Sequence, residues 1–436
     1  LDLSKRPIQY LYDPHNPDNR FAYAEHILEF VVVDQFLSDL KLLWTLIMSE
    51  NTLLCGQHEM MPQTTHDEAS QLGYVRSLRR LITSQLTPGH KLVYDARISK
   101  EIEKDLGRPA KHRNEVKPYL EKDGYHQMWS AMLRTTQELM WNAVYRCVDR
   151  QAGELNSKFQ QFKKIQGPGS LTIDPDFTIP PYSDRVDNHT QPGGYHSEIA
   201  EDDVTAGAAY EQSIHVYMMG GMGRFNDDVG KMLGHYVEWK YPDFRPLKIL
   251  DIGCSVGHST LPYTELYPEA EIHAIDLGAP LVRYGHARAR SMGKAIHFSQ
   301  QNAESTNFED ESFDLIVSHI MIHETSTKAL TNILKECRRL LKPGGLTVHL
   351  EMLPFSKKTP LQQYLTDWDS VNNHEPFIGK MNDLDMNEVL RDSGFSEDER
   401  FVEFVPIGFD QPDKGSLDYT HLIGTERHIF GAQKAG

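Results

Sequence analysis

Leu247-Lys-Ile-Leu-Asp-Ile-Gly-Cys-Ser-Val-Gly-His-Ser-Thr260 is the stretch whose reading decides the fold. A short apolar run, 247–252, carries Asp251 and leads into Gly253 and Gly257, and Thr260 onward can start a helix. Strand, tight glycine turn, helix is how a parallel α/β sheet builds a nucleotide-sized crevice at its strand ends. Gly253 has no Cβ, so the backbone can turn sharply there and approach a ligand closely. The dinucleotide fingerprint does not fit, because Ser255 replaces its second glycine and the acid precedes the turn. An Asp in such a loop repels a pyrophosphate and suits a cationic ligand that also carries hydroxyls and an amine.

Outward from this stretch the pattern alternates. Apolar runs at 248–252, 271–275, 295–299, 313–318 and 346–350 are separated by helical stretches that include 260–267, 279–291 and 330–341. Repeated βα units predict a parallel sheet with helices on both faces. Further on, 361–372 and 382–393 read as helices, the second closed by Gly394, and 401–405 and 419–425 as the last two strands.

Five stretches in order now carry a resemblance. Asp251-Ile-Gly253-Cys-Ser255-Val-Gly257 resembles the first motif of class I S-adenosylmethionine (SAM) methyltransferases, with Ser255 in place of the middle glycine. His-Ala-Ile-Asp276-Leu277-Gly, Gln-Gln-Asn302-Ala303-Glu304, the run 312–324 and the Pro343-Gly344-Gly345 turn before the fifth strand keep the family's order and spacing. The set spans roughly 246–353 and is similar to the ubiquinone/menaquinone-biosynthesis type; the resemblance does not extend to the rest of the chain. The resemblance implies a Rossmann-like methyltransferase sheet, mostly parallel with an antiparallel last strand. It implies SAM as cofactor, with Asp276 on the ribose diol, Leu277 against adenine, and Asn302 or Glu304 at the adenine amine beside the Ala303 backbone. Asp251, Gly253, Ser255 and Gly257 would face the methionine part, with His319 close by. Asp276 has an alternative use, as cap of the following helix. The last two strands would pair antiparallel at the sheet edge.

The loop after the fourth strand, Ser318-His319-Ile-Met-Ile-His323-Glu324, leaves the carboxyl end of a strand, where open α/β sheets bind ligands. His319, His323 and Glu324 are the catalytic candidates, with His323 as a general base; a helix cap or a packing hydrogen bond is the structural alternative for His323 and Glu324. Methyl transfer from a sulfonium is an in-line displacement, so alignment and exclusion of water come first, and a base is needed only when the nucleophile holds a proton.

Three parts are expected: an all-α N-terminal domain over 1–164, a linker or lid with a cofactor-covering helix over 165–235, and the SAM-binding domain over 236–436. An extended arm at 1–19 precedes helices at 20–50, 68–85, 98–106 and 126–164, whose apolar stripes are core, a dimer surface or a substrate lid. The segment 165–203 is rich in Pro and Gly yet carries Tyr182, His189, Tyr195 and His196, more aromatic than a plain linker. Tyr182, His189, Tyr195, Tyr210 and Tyr217 are the substrate-binding candidates. No metal is expected; Asp187, His189 and His196 are the one cluster whose residue types invite the question.

Composition bounds the rest. A net charge of −17 argues against a nucleic-acid binder. The most apolar segment, 27–48, is broken by Glu29, Asp34, Asp39 and Lys41 and cannot span a membrane. Cys55, Cys147, Cys254 and Cys337 form no CxxC pair, which fits a reducing, cytoplasmic setting, and no signal peptide is visible at Leu1. The expectation is a SAM-dependent methyltransferase acting on a small-molecule acceptor, with a homodimer through the N-terminal helices as a possible assembly. The rival uses are SAM-dependent cyclisation or elimination, and a non-catalytic partner-binding subunit.

Overall fold

Among the described residues eight strands form one sheet: β1 Ser170–Thr172, β2 Lys248–Ile252, β3 Glu271–Asp276, β4 His297–Gln300, β5 Phe313–His319, β6 Leu341–Glu351, β7 Arg400–Pro406 and β8 Glu426–Gln433. The structure, a computed structural model, describes residues 55–407 and 426–436. The expected arm at 1–19, the helix at 20–50 and the strand at 419–425 lie outside the described residues.

The strand order is β1-β4-β3-β2-β5-β6-β8-β7, parallel from β1 to β6, with β8 antiparallel between β6 and β7. This is the Rossmann-like methyltransferase sheet with an antiparallel end. The chain runs outward from β2 through β3 to β4, then returns to place β5 on the other side of β2. Strand order therefore reverses at β2, and the crevice outside the carboxyl ends of β2 and β5 is where such sheets take ligands. β2 is almost wholly buried, as a central parallel strand covered on both faces must be.

Three elements depart from the sequence pattern. Only Tyr263–Leu266 is helical within 260–267, because Pro262 has no N–H to donate and the helix starts after it. β1 falls inside the segment read as loop; three residues with no apolar alternation give no strand signal, and only pairing with β4 makes it one. In place of one helix over 382–393 the chain forms Ile378–Asn382 and then Met386–Asp392, the latter capped by Asp385.

The helical half is built by local rules. Thr65 and Glu68 close a capping box on the helix His66–Leu81, and Gly107, at φ 69°, ends Ser99–Leu106. Asp123 caps the long helix Gly124–Lys164 through the N–H groups of Tyr125 and His126. That helix buries Met140, Val144, Val148, Leu155 and Phe159 against Val204, Ala208 and Ala209 around the helix Thr205–Tyr217, and against Leu281, Tyr284 and Ala287 after β3. A second contact joins Ile102, Val116 and Leu120 to Leu361 and Tyr364. Cys55–Gly436 is one compact unit, so the apolar stripes described here are core. No described helix is long and apolar enough to cross a membrane.

One polar cluster ties these layers together. Glu211 is buried, accepting hydrogen bonds from Tyr284 Oη at 2.6 Å and Arg288 Nε at 2.8 Å, with His58 Nε2 at 3.0 Å and His258 Nε2 at 3.3 Å. Burial alone would push its carboxyl up; Arg288, His58 and His258 more than reverse this and hold it well below the usual carboxylate range. Its contribution is present above about pH 4.5 and is lost as acid titrates the folded carboxylate. Glu211→Ala strands the buried Arg288 charge and is expected to cost about 3–5 kcal/mol in urea unfolding at neutral pH. A loss under about 1 kcal/mol, the value of an exposed pair, would show that the cluster does not hold the layers.

Candidate active site

The glycine turn after β2 is shaped by close approach. Gly253 sits at φ 70°, and a Cβ there would lie 2.2 Å from Met321 Cγ. Ser255, at φ 52°, adopts the left-handed conformation that the missing glycine would have taken without strain. Its N–H donates to Asp276 Oδ2 at 2.9 Å, while Asp276 Oδ1 accepts from Gly278 N–H at 2.9 Å. Asp276 thus clamps the loops after β2 and β3. It does not cap the next helix, whose N-cap is Gly278 with no side-chain bond. Burial raises the Asp276 carboxyl, partly offset by these backbone donors. Asp251 is buried, accepting from Thr260 Oγ1 at 2.6 Å with His319 Nδ1 at 3.3 Å.

Two cavities open at the strand ends. The smaller is lined by Tyr182, Tyr195, Asp276, Leu277, Asn302 and Ala303 among others. The larger reaches from Arg79 and Leu133 in the helical half to Met352, Asp369, Glu375 and Arg427. Tyr210, Gly253, Ser255, His319, Ile320 and Glu324 line both, so the two spaces meet there. Ile320, a β-branched residue, stands at φ 52°. With Ser255 it puts two strained residues at the junction, where strain of this kind usually marks function.

The histidines differ in what holds them. His319, 4% exposed, uses Nδ1 on Asp251 and Nε2 on Tyr263 Oη at 3.0 Å. His323, 3% exposed, lies with Nδ1 2.9 Å from Glu351 and Nε2 3.3 Å from Glu375. Burial would lower its pKa, but a carboxylate on each side lifts it well above 6.5, so the ring is a cation at neutral pH. His189 is 22% exposed, 3.6 Å from Glu375 and 3.8 Å from Glu324. Burial raises the Glu324 carboxyl, with His189 and His323 acting against it. Burial and then Glu375 push Asp369 up to about 6.

Comparison with known proteins bears on this geometry. A methyltransferase-domain profile matches residues 249–345. Residues 249–345 are thus a methyltransferase domain. Among curated relatives, the ubiquinone/menaquinone biosynthesis C-methyltransferase UbiE of Pectobacterium atrosepticum is 30% identical over 140 residues, 31% of this chain and 53% of that protein. Highly reducing polyketide synthase 40 of Fusarium pseudograminearum is 24% identical over 167 residues, 35% of this chain and 6% of the synthase. The chain thus spans about half of the first relative and a small part of the second. Among solved structures, Haemonchus contortus phosphoethanolamine N-methyltransferase 2 is 16% identical with a TM-score of 0.35, over 47% of this chain and 53% of that one.

Within the methyltransferase domain, Asp276, Leu277, Asn302 and Ala303 face the smaller cavity, and Asp251 faces the larger. Glu304 turns aside, accepting from Asn332 Nδ2 at 2.8 Å, and Gly257 supports the loop, where a Cβ would press on Phe298 Cζ at 2.9 Å. Tyr182 and Tyr195 line the smaller cavity, His189 and Tyr217 the larger, and Tyr210 both. Asp187, His189 and His196 do not gather into a donor set. Among the described residues His189, Glu324 and Glu375 do, with ligand atoms within 4.8 Å of one another. Arg79, the neighbours Asp369 and Glu375, and Arg427 were not foreseen; they come from three segments far apart in the chain, and no local pattern marks them.

The His323 cation gives a pH signature. Because its folded pKa is raised, its stabilisation is fully present below about pH 6.5 and is lost as pH rises through the folded value. The stability difference between wild type and His323→Asn is expected to be largest near pH 6 and to shrink towards alkaline pH in urea unfolding. A pH-independent difference would mean a neutral ring.

Proposed function

We propose that this chain transfers the methyl group of SAM to a small-molecule acceptor by in-line displacement. The observation that carries this is the meeting of two cavities across Tyr210, Ser255, His319, Ile320 and Glu324, at the carboxyl ends of β2 and β5. A donor on one side and an acceptor on the other would be aligned there, with the rings of Tyr195 and Tyr210 as cover.

The residues of the smaller cavity suit SAM. Among the described residues no Lys or Arg lines it, so a phosphate would find no counter-charge there, whereas Asp276 and Glu324 complement a sulfonium cation with hydroxyls and an amine. In this assignment Asp276 takes the ribose hydroxyls, Leu277 and Ala303 flank adenine, and Asn302 reaches its amine. Asp251, Gly253, Ser255, Gly257 and His319 hold the methionine end. SAM, when bound, supplies a methyl group on a leaving sulfur. The chain's own task is to orient both partners and to hold the proton that a protonated nucleophile must shed. His323, already a cation between two carboxylates, is a positioning residue that fixes Glu351 and Glu375.

The scheme uses no metal. His189, Glu324 and Glu375 could in principle approach one, but Glu375 already has the His323 cation beside it. Treatment with EDTA is expected to leave transfer unchanged; loss to the chelator, restored by one divalent cation, would overturn this.

The test of the whole proposal is methyl-labelled SAM incubated with the protein and a panel of phenols, amines, thiols and 1,3-dicarbonyl compounds. Labelled product with S-adenosylhomocysteine is expected. Consumption of SAM without methylated product would favour cyclisation or elimination, and SAM bound but never consumed a non-catalytic subunit. Asp276→Asn is expected to weaken SAM binding by about 1.5–3 kcal/mol, the value of charge-assisted hydrogen bonds. Unchanged affinity by calorimetry would remove Asp276 from the site.

A further inference from the structure

Four of the described histidines line the larger cavity, and three of them are engaged, His258 with Glu211 at 3.3 Å. His319 is tied to Asp251 and Tyr263, His323 to Glu351 and Glu375. His189 makes no side-chain contact within hydrogen-bond distance: both neighbouring carboxylates stand more than 3.5 Å away. Its Nδ1 is buried on the Glu375 side without a hydrogen-bond partner, and the ring lines the larger cavity.

The backbone under this ring is held in an unfavourable shape. His189 lies at φ 55° and Thr190 at φ 57°, two consecutive non-glycine residues in the left-handed region. Each is unfavourable for a residue with a Cβ and persists only where the surroundings impose it. Here they do: the His189 carbonyl accepts from Gln137 Nε2 at 2.6 Å and Trp141 Nε1 at 2.8 Å, both on the long helix Gly124–Lys164. Tyr217 packs edge-on against the imidazole, with ring centres 5.3 Å apart. The long helix therefore anchors a strained loop so that one imidazole projects between Glu324 and Glu375.

We propose that His189 is the catalytic residue that takes the acceptor's proton. This rests on the methyl-transfer function proposed above. The bond from the acceptor atom to the methyl carbon forms as the methyl–sulfur bond breaks, with its electron pair remaining on sulfur. The proton leaving the acceptor atom passes to His189 Nε2, and the imidazolium so formed lies between the carboxylates of Glu324 and Glu375, with Asp369 and Tyr217 as its other polar neighbours. Imidazole is the side chain best suited to such a transfer near neutral pH. The residue lies outside 249–345, so the base would come from the part of this chain that the methyltransferase profile does not cover.

Two measurements test this on the full chain. With the best acceptor of the panel, His189→Gln is expected to lower kcat on the order of 10²-fold. SAM affinity by calorimetry and Tm should stay at wild-type values. A loss below about tenfold, short of what a general base contributes, overturns the assignment. The second measurement needs no variant and no turnover. Diethyl pyrocarbonate attacks accessible imidazole, and the His189 side chain is 22% exposed against 4% for His319 and 3% for His323, so mass spectrometry of the treated wild type should find His189 carbethoxylated well ahead of the other two. Equal or slower modification of His189 overturns the assignment as well. An active wild type with an equally active His189→Gln strikes this assignment alone, whereas a wild type that methylates nothing in the panel strikes the methyl-transfer function and this inference with it.

Discussion

A carboxylate with almost no access to water, Glu211, is the constraint on which the rest of the structure depends. Its desolvation is tolerable only because Tyr284, Arg288, His258 and His58 converge on it. These partners come from the glycine loop, the helix after β3 and the segment that opens the helical half. Each must be in place before the charge is satisfied, so the cluster selects one arrangement of three layers. Glu211 follows Tyr210 in the chain, and Tyr210 stands at the junction of the two cavities. Fixing the carboxylate therefore fixes the wall of the site.

Around that wall the site is made from positions that a freer chain would avoid. Ser255, Ile320 and His189 all occupy left-handed conformations, and each borders a cavity. Ser255 is held by Asp276, Ile320 by the N–H it donates to Leu350, and His189 by two side chains of the long helix. The surrounding packing supplies the free energy, and the return is rigid placement of groups where two ligands would meet. The chain His189, Glu375, His323, Glu351 then alternates imidazole and carboxylate from the larger cavity into the core. The His323 cation stabilises the carboxylates on its two sides there, although each charge alone would be costly.

The helical half is more than an appendage. Arg79 and Leu133 reach the larger cavity directly, and Gln137 and Trp141 act on it through His189. Its own position is set twice, by the core shared with the helix Thr205–Tyr217 and by Arg113, which pairs with Asp367 and Asp383. The larger cavity is therefore bounded on one side by the sheet and on the other by these helices.

The sequence by itself determined the sheet and its first ligand-facing loop. βα alternation, the glycines at 253 and 257 and the acids at 251 and 276 recur in a fixed order at the ends of strands, set by strand periodicity and turn geometry, and so each leaves a mark in the order of amino acids. Boundaries slipped where a local rule was overlooked, as at Pro262, or where an element exists only through its partner, as with β1 on β4. What tertiary structure decided is the use of the histidines. His319 and His323 look alike in sequence, four residues apart on one loop, yet each is fixed by a different carboxylate from a different strand. His189 sits in a proline-rich loop, and only packing against Gln137, Trp141 and Tyr217 brings it to the cavity. Glu375 lies between two helices with nothing in its neighbours to mark it. Contacts between residues distant in the chain are made by folding, and no periodicity or spacing encodes them.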